Sequence, residues 1–156
     1  MKKIAVAVLV TLFTATLGLA EETSFQRVQV PDLKGRQIKA VLTFSDDRKA
    51  LEVRPAKGDL VTIPYSQIDS CSYEFTKHHR IKQGAVVMVA GIVPGGVVMM
   101  TKSKSHWLEI DYRDQDLPKT FVIRMDKHDY LRILDAVKTH TGKDAEVLGN
   151  ADKRKK

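Results

Sequence analysis

The sequence predicts a mainly β domain, an antiparallel meander or partly open barrel of about six to seven strands that is closed by one C-terminal amphipathic helix. Two observations carry this prediction. Short segments of alternating apolar and polar residues recur between turn signals from Gln37 to Met125, which is typical of half-buried strands. From Asp126 onward the apolar period changes to that of a helix. A length of 156 residues suits a single domain.

The N-terminus has the form of a secretory signal peptide over residues 1–20. Lys2 and Lys3 supply a positive start, the apolar stretch Ile4–Leu17 follows, and Ala20 fits a small-residue cleavage site. We therefore expect export to the periplasm or cell envelope, with membrane association. An uncleaved membrane anchor is the alternative, although the apolar stretch is short for a span.

The strands are predicted within a single domain over residues 37–142, preceded by a leader and first turn over residues 21–36. Within the leader, Val28 and Val30 are expected to begin a strand that Pro31 ends. Alternating apolar residues bounded by turn signals mark the strands at 37–44, 51–53, 60–63, 69–76, 108–112 and 121–125. Their close spacing favours antiparallel neighbours and excludes parallel βαβ units.

One helix is predicted after the last strand. Asp126 is its expected N-cap and Gly142 its stop. One stripe of the helix is formed by Tyr130, Ile133, Leu134, Val137 and Thr141. A helix this short depends on packing, so we expect the stripe, with Leu134 buried, to lie against the sheet. Residues 143–156 have few apolar side chains and are predicted to be a disordered basic tail.

Cys71 is the single cysteine, which excludes an internal disulfide. It shares one face of a predicted strand with Tyr73 and Phe75. Burial of an inert thiol is therefore favoured over a reactive or intermolecular role.

Two segments resemble pleckstrin-homology-like (PH-like) and GRAM-like bacterial domains. Ile63–Ile68 looks like the segment by which those domains enter their mid-sheet strand, and Phe121–Met125 with the helix to Thr141 is similar to their closing strand and helix. The resemblance covers Gln37 to Thr141 without the apolar insertion described below. It implies a PH-like fold and a module that binds lipids or proteins rather than an enzyme. The export signal and the insertion depart from the usual pattern of these domains.

The insertion is a charge-free apolar segment over residues 84–101. Pro94-Gly95-Gly96 interrupts it, which favours a hairpin that dips into one leaflet over a spanning helix. A full span would also separate strands that should share one sheet. Two alternatives remain open: buried strands of the core and a self-association surface.

Contact with a membrane or partner is predicted for Val86, Val89, Ile92, Val97, Met100 and Trp107. Contact with anionic headgroups is predicted for the basic flanks Lys77, Arg80, Lys82, Lys102 and Lys104. Trp107 falls on the outer face of its strand, where it suits either a membrane interface or a shielded position under a neighbouring loop. The formal net charge of +7 likewise favours anionic partners.

The favoured function is a non-catalytic exported envelope module that associates with a membrane or membrane protein through residues 84–101. The alternatives are a small ligand carrier or enzyme with a site near His78, His79 and His106, or a self-associating protein. Adjacent histidines on a strand point to opposite faces and chelate poorly, so no metal or cofactor is expected. Nucleic acid is not an expected partner. These histidines should add charge below about pH 6.5 and strengthen binding to anionic surfaces.

Overall fold

The computed structural model describes residues 22–32, 35–80, 86–89, 91–93 and 98–148, with side chains for 22–32, 35–77 and 103–148. The predicted signal peptide lies outside these residues. The strands are β1 (Thr23–Pro31), β2 (Gln37–Ser45), β3 (Ala50–Pro55), β4 (Val61–Pro64), β5 (Ile68–Arg80), β6 (Val86–Val89), β7 (Gly91–Val93), β8 (Val98–Asp114), β9 (Leu117–Met125) and β10 (Ala145–Leu148). A 3₁₀ turn (Tyr65–Gln67) precedes β5, and the helix α1 (Tyr130–Thr141) follows β9.

The strands form one open sheet with the order β10-β5-β8-β9-β1-β2-β3-β4. Neighbours along this path are antiparallel except β10, which runs parallel to β5. The two-residue turn between β8 and β9 places Gln115 and Asp116 at positive φ, as tight hairpin turns require. A mainly β fold with a C-terminal helix, as the PH-like resemblance implies, is confirmed.

The hydrophobic core lies on one face of this sheet. Its cluster of buried residues draws on β1 to β5, β8, β9 and α1, so the sheet curves around a shared interior. The strand faces predicted from alternation are confirmed by the burial of Leu42, Phe44, Leu51, Val53, Leu108, Ile110, Tyr112, Phe121, Ile123 and Met125. Cys71 also lies in this core, as predicted.

The helix α1 begins later than expected and packs with a shifted phase. The N-cap is Asp129 rather than Asp126. Gly142 ends the helix as predicted, in the left-handed conformation at φ 70°, and its N–H donates to the Lys138 carbonyl at 2.9 Å. The stripe is centred on Ile133, which is fully buried, whereas Leu134 is only partly buried.

The expected leader over residues 21–36 contains a central strand, which ends at Pro31 as predicted but begins earlier than the predicted Val28. β1 begins at Thr23 and pairs with both β2 and β9. Its buried residues include Phe25 and Val28, which lie three positions apart because the register shifts between them. This irregularity breaks the two-residue alternation by which a strand is recognised in sequence.

The predicted disordered tail also contains a strand. β10 pairs with β5 from Ala145 opposite Cys71 to Leu148 opposite Glu74. Its side chains are exposed or half-buried, so backbone hydrogen bonds to an open sheet edge stabilise it rather than apolar burial. Apolar patterning therefore could not reveal it. Within the described residues, no helix has the length and apolarity needed to cross a membrane.

Candidate functional site

The two basic flanks of the apolar segment meet where β5 and β8 continue to pair beyond the end of β9. These strands pair from Ile68 opposite Tyr112 to Thr76 opposite Ser105, and again from His78 opposite Met100 to Arg80 opposite Val98. The register shift between the two stretches sets Lys77 against residues 101–104, which contain Lys102 and Lys104. Lys77 and Lys104 are exposed. Arg80 and Lys102 lie on the same strands, their side chains outside the described ones, and Lys82 lies outside the described residues altogether.

The apolar segment contains a short antiparallel pair of strands, β6 and β7. Met88 pairs with Ile92 and Val89 with Gly91, so the chain reverses between β6 and β7. The turn expected at Pro94-Gly95-Gly96 lies outside the described residues. β6 also runs parallel to β9, with Val86 opposite Lys119. Of the predicted contact residues, Val86, Val89 and Ile92 lie on this pair and Met100 on β8, whereas Val97 lies outside the described residues.

Part of the outer face of β5, β8 and β9 is buried as well. Trp107 is 0% exposed, and its indole N–H donates to the Thr76 carbonyl at 3.2 Å. Glu109, on the same face of β8, is only 2% exposed. The prediction of Trp107 as a contact residue is therefore wrong for this structure, and the shielded alternative holds. Alternation marked the inner face but could not show that the outer face is covered too.

An aromatic stack stands where β5, β8 and α1 meet. The His106 ring lies 3.9 Å from Tyr130 and 4.5 Å from Phe75, measured between ring centroids. Its Nδ1 shares a hydrogen bond of 2.8 Å with the Tyr73 hydroxyl. Burial lowers the pKa of His106, and the nearby Asp126 only partly opposes this effect. The expected gain of charge below pH 6.5 is therefore wrong for His106, which stays neutral to lower pH.

A basic groove of about 450 Å³ adjoins this stack, with a wall formed by β1, β5, β8, β9 and the start of the β9–α1 turn. Among the described residues, its cations are Arg27, Lys104, Arg124 and Lys127, and its one lining carboxylate is Asp126. Sequence analysis missed Arg27, Arg124 and Lys127 because they come from three separate elements. No short motif links them, and only strand pairing brings them together.

Neutral side chains hold Arg124 in this groove. Its Nε donates to Ser105 Oγ at 3.1 Å and its Nη1 to Gln29 Oε1 at 3.0 Å. Arg27 differs, because its Nε donates to the Asp129 carboxylate at 3.0 Å. Lys104 Nζ lies 5.7 Å from the centre of the Phe75 ring, a cation–π arrangement.

A second histidine lies at the other end of α1. His140 Nδ1 is 2.9 Å from Asp46 Oδ1, its Nε2 is 3.3 Å from Thr23 Oγ1, and its ring stacks on Phe44. This order of groups resembles a hydrolase triad, but a threonine inside a chain lacks the activating N-terminal amine. The histidine side chain is 7% exposed, so the arrangement serves to tie the helix end to β1 and to the β2–β3 turn.

The other candidate groups are the single cysteine, possible metal ligands and the adjacent histidines of β5. Burial raises the pKa of the Cys71 thiol to about 12, so little reactive thiolate is present near neutral pH. Within the described residues, no group of three or more His, Cys, Asp or Glu side chains is placed to hold a metal ion. His78 and His79 occupy adjacent positions on β5, with side chains outside the described ones.

Comparisons with solved structures show a likeness of fold. No known protein family matches the chain, and no curated protein matches it. A solved structure entitled "Structure of the Spt16D Pob3N heterodimer" is similar, with 15% sequence identity and a TM-score of 0.48. The alignment covers 88% of this chain and 60% of that chain. The fold assignment rests on the strand order and helix described above.

Proposed function

We propose that this protein is a non-catalytic, exported envelope module of the bacterial GRAM-like type of PH-like domain. It docks on a membrane, or on a membrane-protein partner, through residues 84–101 and their basic flanks. The observation that carries the proposal is the β5–β8 pairing, which brings both flanks to the base of the apolar segment. Cations separated by more than twenty residues in sequence thereby act on one surface.

The expected binding energy has an apolar part and an electrostatic part. Burial of apolar area contributes about 25 cal/mol per Å², and each basic residue near an anionic surface about 1 kcal/mol. The β6–β7 pairing satisfies backbone groups that would otherwise be costly in an apolar environment.

Vesicle flotation of the chain without residues 1–20 tests the proposal. We expect the protein to float with anionic vesicles at low salt, and Val89→Asp to abolish flotation because an unpaired carboxylate resists burial. Leu131→Asp is the matched control, since it adds the same charge at an exposed apolar position on α1. Protein that stays in the soluble fraction with anionic lipid would rule out direct membrane docking.

A second pair of variants separates the two contributions. Lys77→Glu with Lys102→Glu should weaken flotation on anionic vesicles and leave weak binding to neutral vesicles unchanged. Added salt should act in the same direction, because it screens exposed charges. Equal loss on both kinds of vesicle would contradict an electrostatic role for the flanks.

A further inference from the structure

The basic groove carries positive charge that its own side chains do not balance. Arg27 is paired with Asp129, and within the described residues Lys104, Arg124 and Lys127 have no carboxylate partner. Asp126 is the one acidic side chain in the lining, and its Oδ1 already accepts the His128 N–H at 2.9 Å. The lining therefore has an excess of about two positive charges, which a ligand with two negative charges would complement.

Arg124 is positioned for recognition of a carboxylate. Two bonds to the neutral acceptors Ser105 and Gln29 fix the plane of the guanidinium without neutralising it. An arginine has five N–H donors, so the remaining ones are available for a planar, bidentate acceptor. An arginine fixed in this way loses less conformational entropy on binding than a free one.

The groove also offers an apolar surface between its cations. Phe75 is 48% exposed although it is a large aromatic side chain, and it lies against the neutral His106 ring. Aromatic side chains, phenylalanine included, and arginine are enriched at protein interfaces relative to the rest of the surface. A single small anion would leave this surface and most of a cavity of about 450 Å³ unused.

We propose that this groove binds an acidic peptide segment of a partner protein, in which two carboxylates flank an apolar side chain. One carboxylate pairs with Arg124, the other lies near Lys104 and Lys127, and the apolar side chain packs on Phe75. The site does not involve the apolar segment 84–101. It therefore adds a protein partner of defined chemistry to the proposed docking function and does not depend on it.

A peptide titration followed by NMR tests the proposal. The probe is a capped five-residue peptide in which two glutamates flank a phenylalanine, and its matched control carries glutamines in their place. We expect saturable shifts of the Lys104, Arg124 and Lys127 amides with the glutamate peptide and at least tenfold weaker binding of the glutamine peptide. Binding should weaken as salt is added.

Variants locate the site. Arg124→Gln should weaken the peptide at least tenfold, and Lys127→Gln, an exposed position outside the sheet, about threefold. Arg54→Gln removes the same charge from the exposed side of β3 and should change affinity less than twofold. Val89→Asp should retain full peptide binding even if it abolishes flotation, which separates this site from the membrane proposal.

Three outcomes would overturn the proposal. One is the absence of saturable shifts, and another is equal loss of affinity in Arg124→Gln and Arg54→Gln. The third is binding of phenyl phosphate at least tenfold tighter than the glutamate peptide, which would make the groove a phosphate site. If Arg124→Gln is destabilised, the Lys127→Gln comparison decides the question, because Lys127 makes no hydrogen bond or ion pair within the described structure.

Discussion

The two ends of α1 use histidine for opposite purposes. At the C-terminal end, His140 contacts Phe44, Asp46 and Thr23 and holds the helix against β1. At the N-terminal end, His106 stacks on Tyr130 but lines an open groove. The first histidine has a carboxylate partner and the second a tyrosine hydroxyl. One end is therefore built for stability, and the other leaves charge and aromatic surface available to a ligand.

The largest expected effect comes from Ile133, the buried residue of α1 that lies between its two ends. Ile133→Ala should lower the free energy of unfolding by about 2–5 kcal/mol, because a fully buried side chain leaves a cavity. Leu131→Ala, at a position 64% exposed, should cost less than about 0.5 kcal/mol. Urea denaturation measures both values. Equal costs would mean that the buried face of α1 has been assigned wrongly.

A pair of histidine substitutions compares how much each end of α1 contributes to stability. His140→Ala should cost about 2 kcal/mol, because it leaves Asp46 without its imidazole partner and opens space beside Phe44. His106→Ala should cost less, since its ring is only partly buried, but it should weaken peptide binding in the groove. Thermal unfolding and peptide titration together check the contrast. A larger stability loss at His106 would reverse the assignment of the two ends.

The C-terminal end can also be weakened through its backbone alone. Gly142 has φ 70°, and a Cβ added there would meet nothing within 4 Å. Gly142→Ala should therefore cost about 1 kcal/mol from left-handed backbone strain rather than from a clash. Peptide binding at the far end should be unchanged. A cost near zero in urea denaturation would show that this residue can leave the left-handed conformation freely.

The smallest expected effect is the pH dependence that His106 gives to the free energy of unfolding. Burial depresses the pKa of His106, so its neutral form favours the folded state. This contribution is present above the unfolded pKa of about 6.5 and is lost as pH falls through the lower folded value. An NMR titration of the His106 ring should give a midpoint below 6.5, and His106→Asn should remove this part of the acid sensitivity. A midpoint above 6.5 would show that Asp126 outweighs burial.

Much of the sheet could be predicted because its inner face follows the alternation of its strands. Leu108, Ile110 and Tyr112 were identified as core residues from their two-residue spacing alone, as was Cys71. Only the end of β1, at Val28 and Val30, was predicted, because the bulge before Val28 breaks that spacing. β10 was not predicted, because backbone pairing rather than apolar burial holds it. Trp107 was misplaced because alternation cannot show that both faces of a strand are covered.

The sequence by itself determined the fold class, the inner core and the C-terminal end of α1 at Gly142. Each of these depends on local periodicity or on the conformational preference of one residue type. Only the tertiary structure decided the candidate site. Arg27, Arg124 and Lys127 lie up to one hundred residues apart, and strand pairing places them around the Phe75–His106 stack. Such a convergence depends on register between distant segments, and local sequence patterns carry no information about that register.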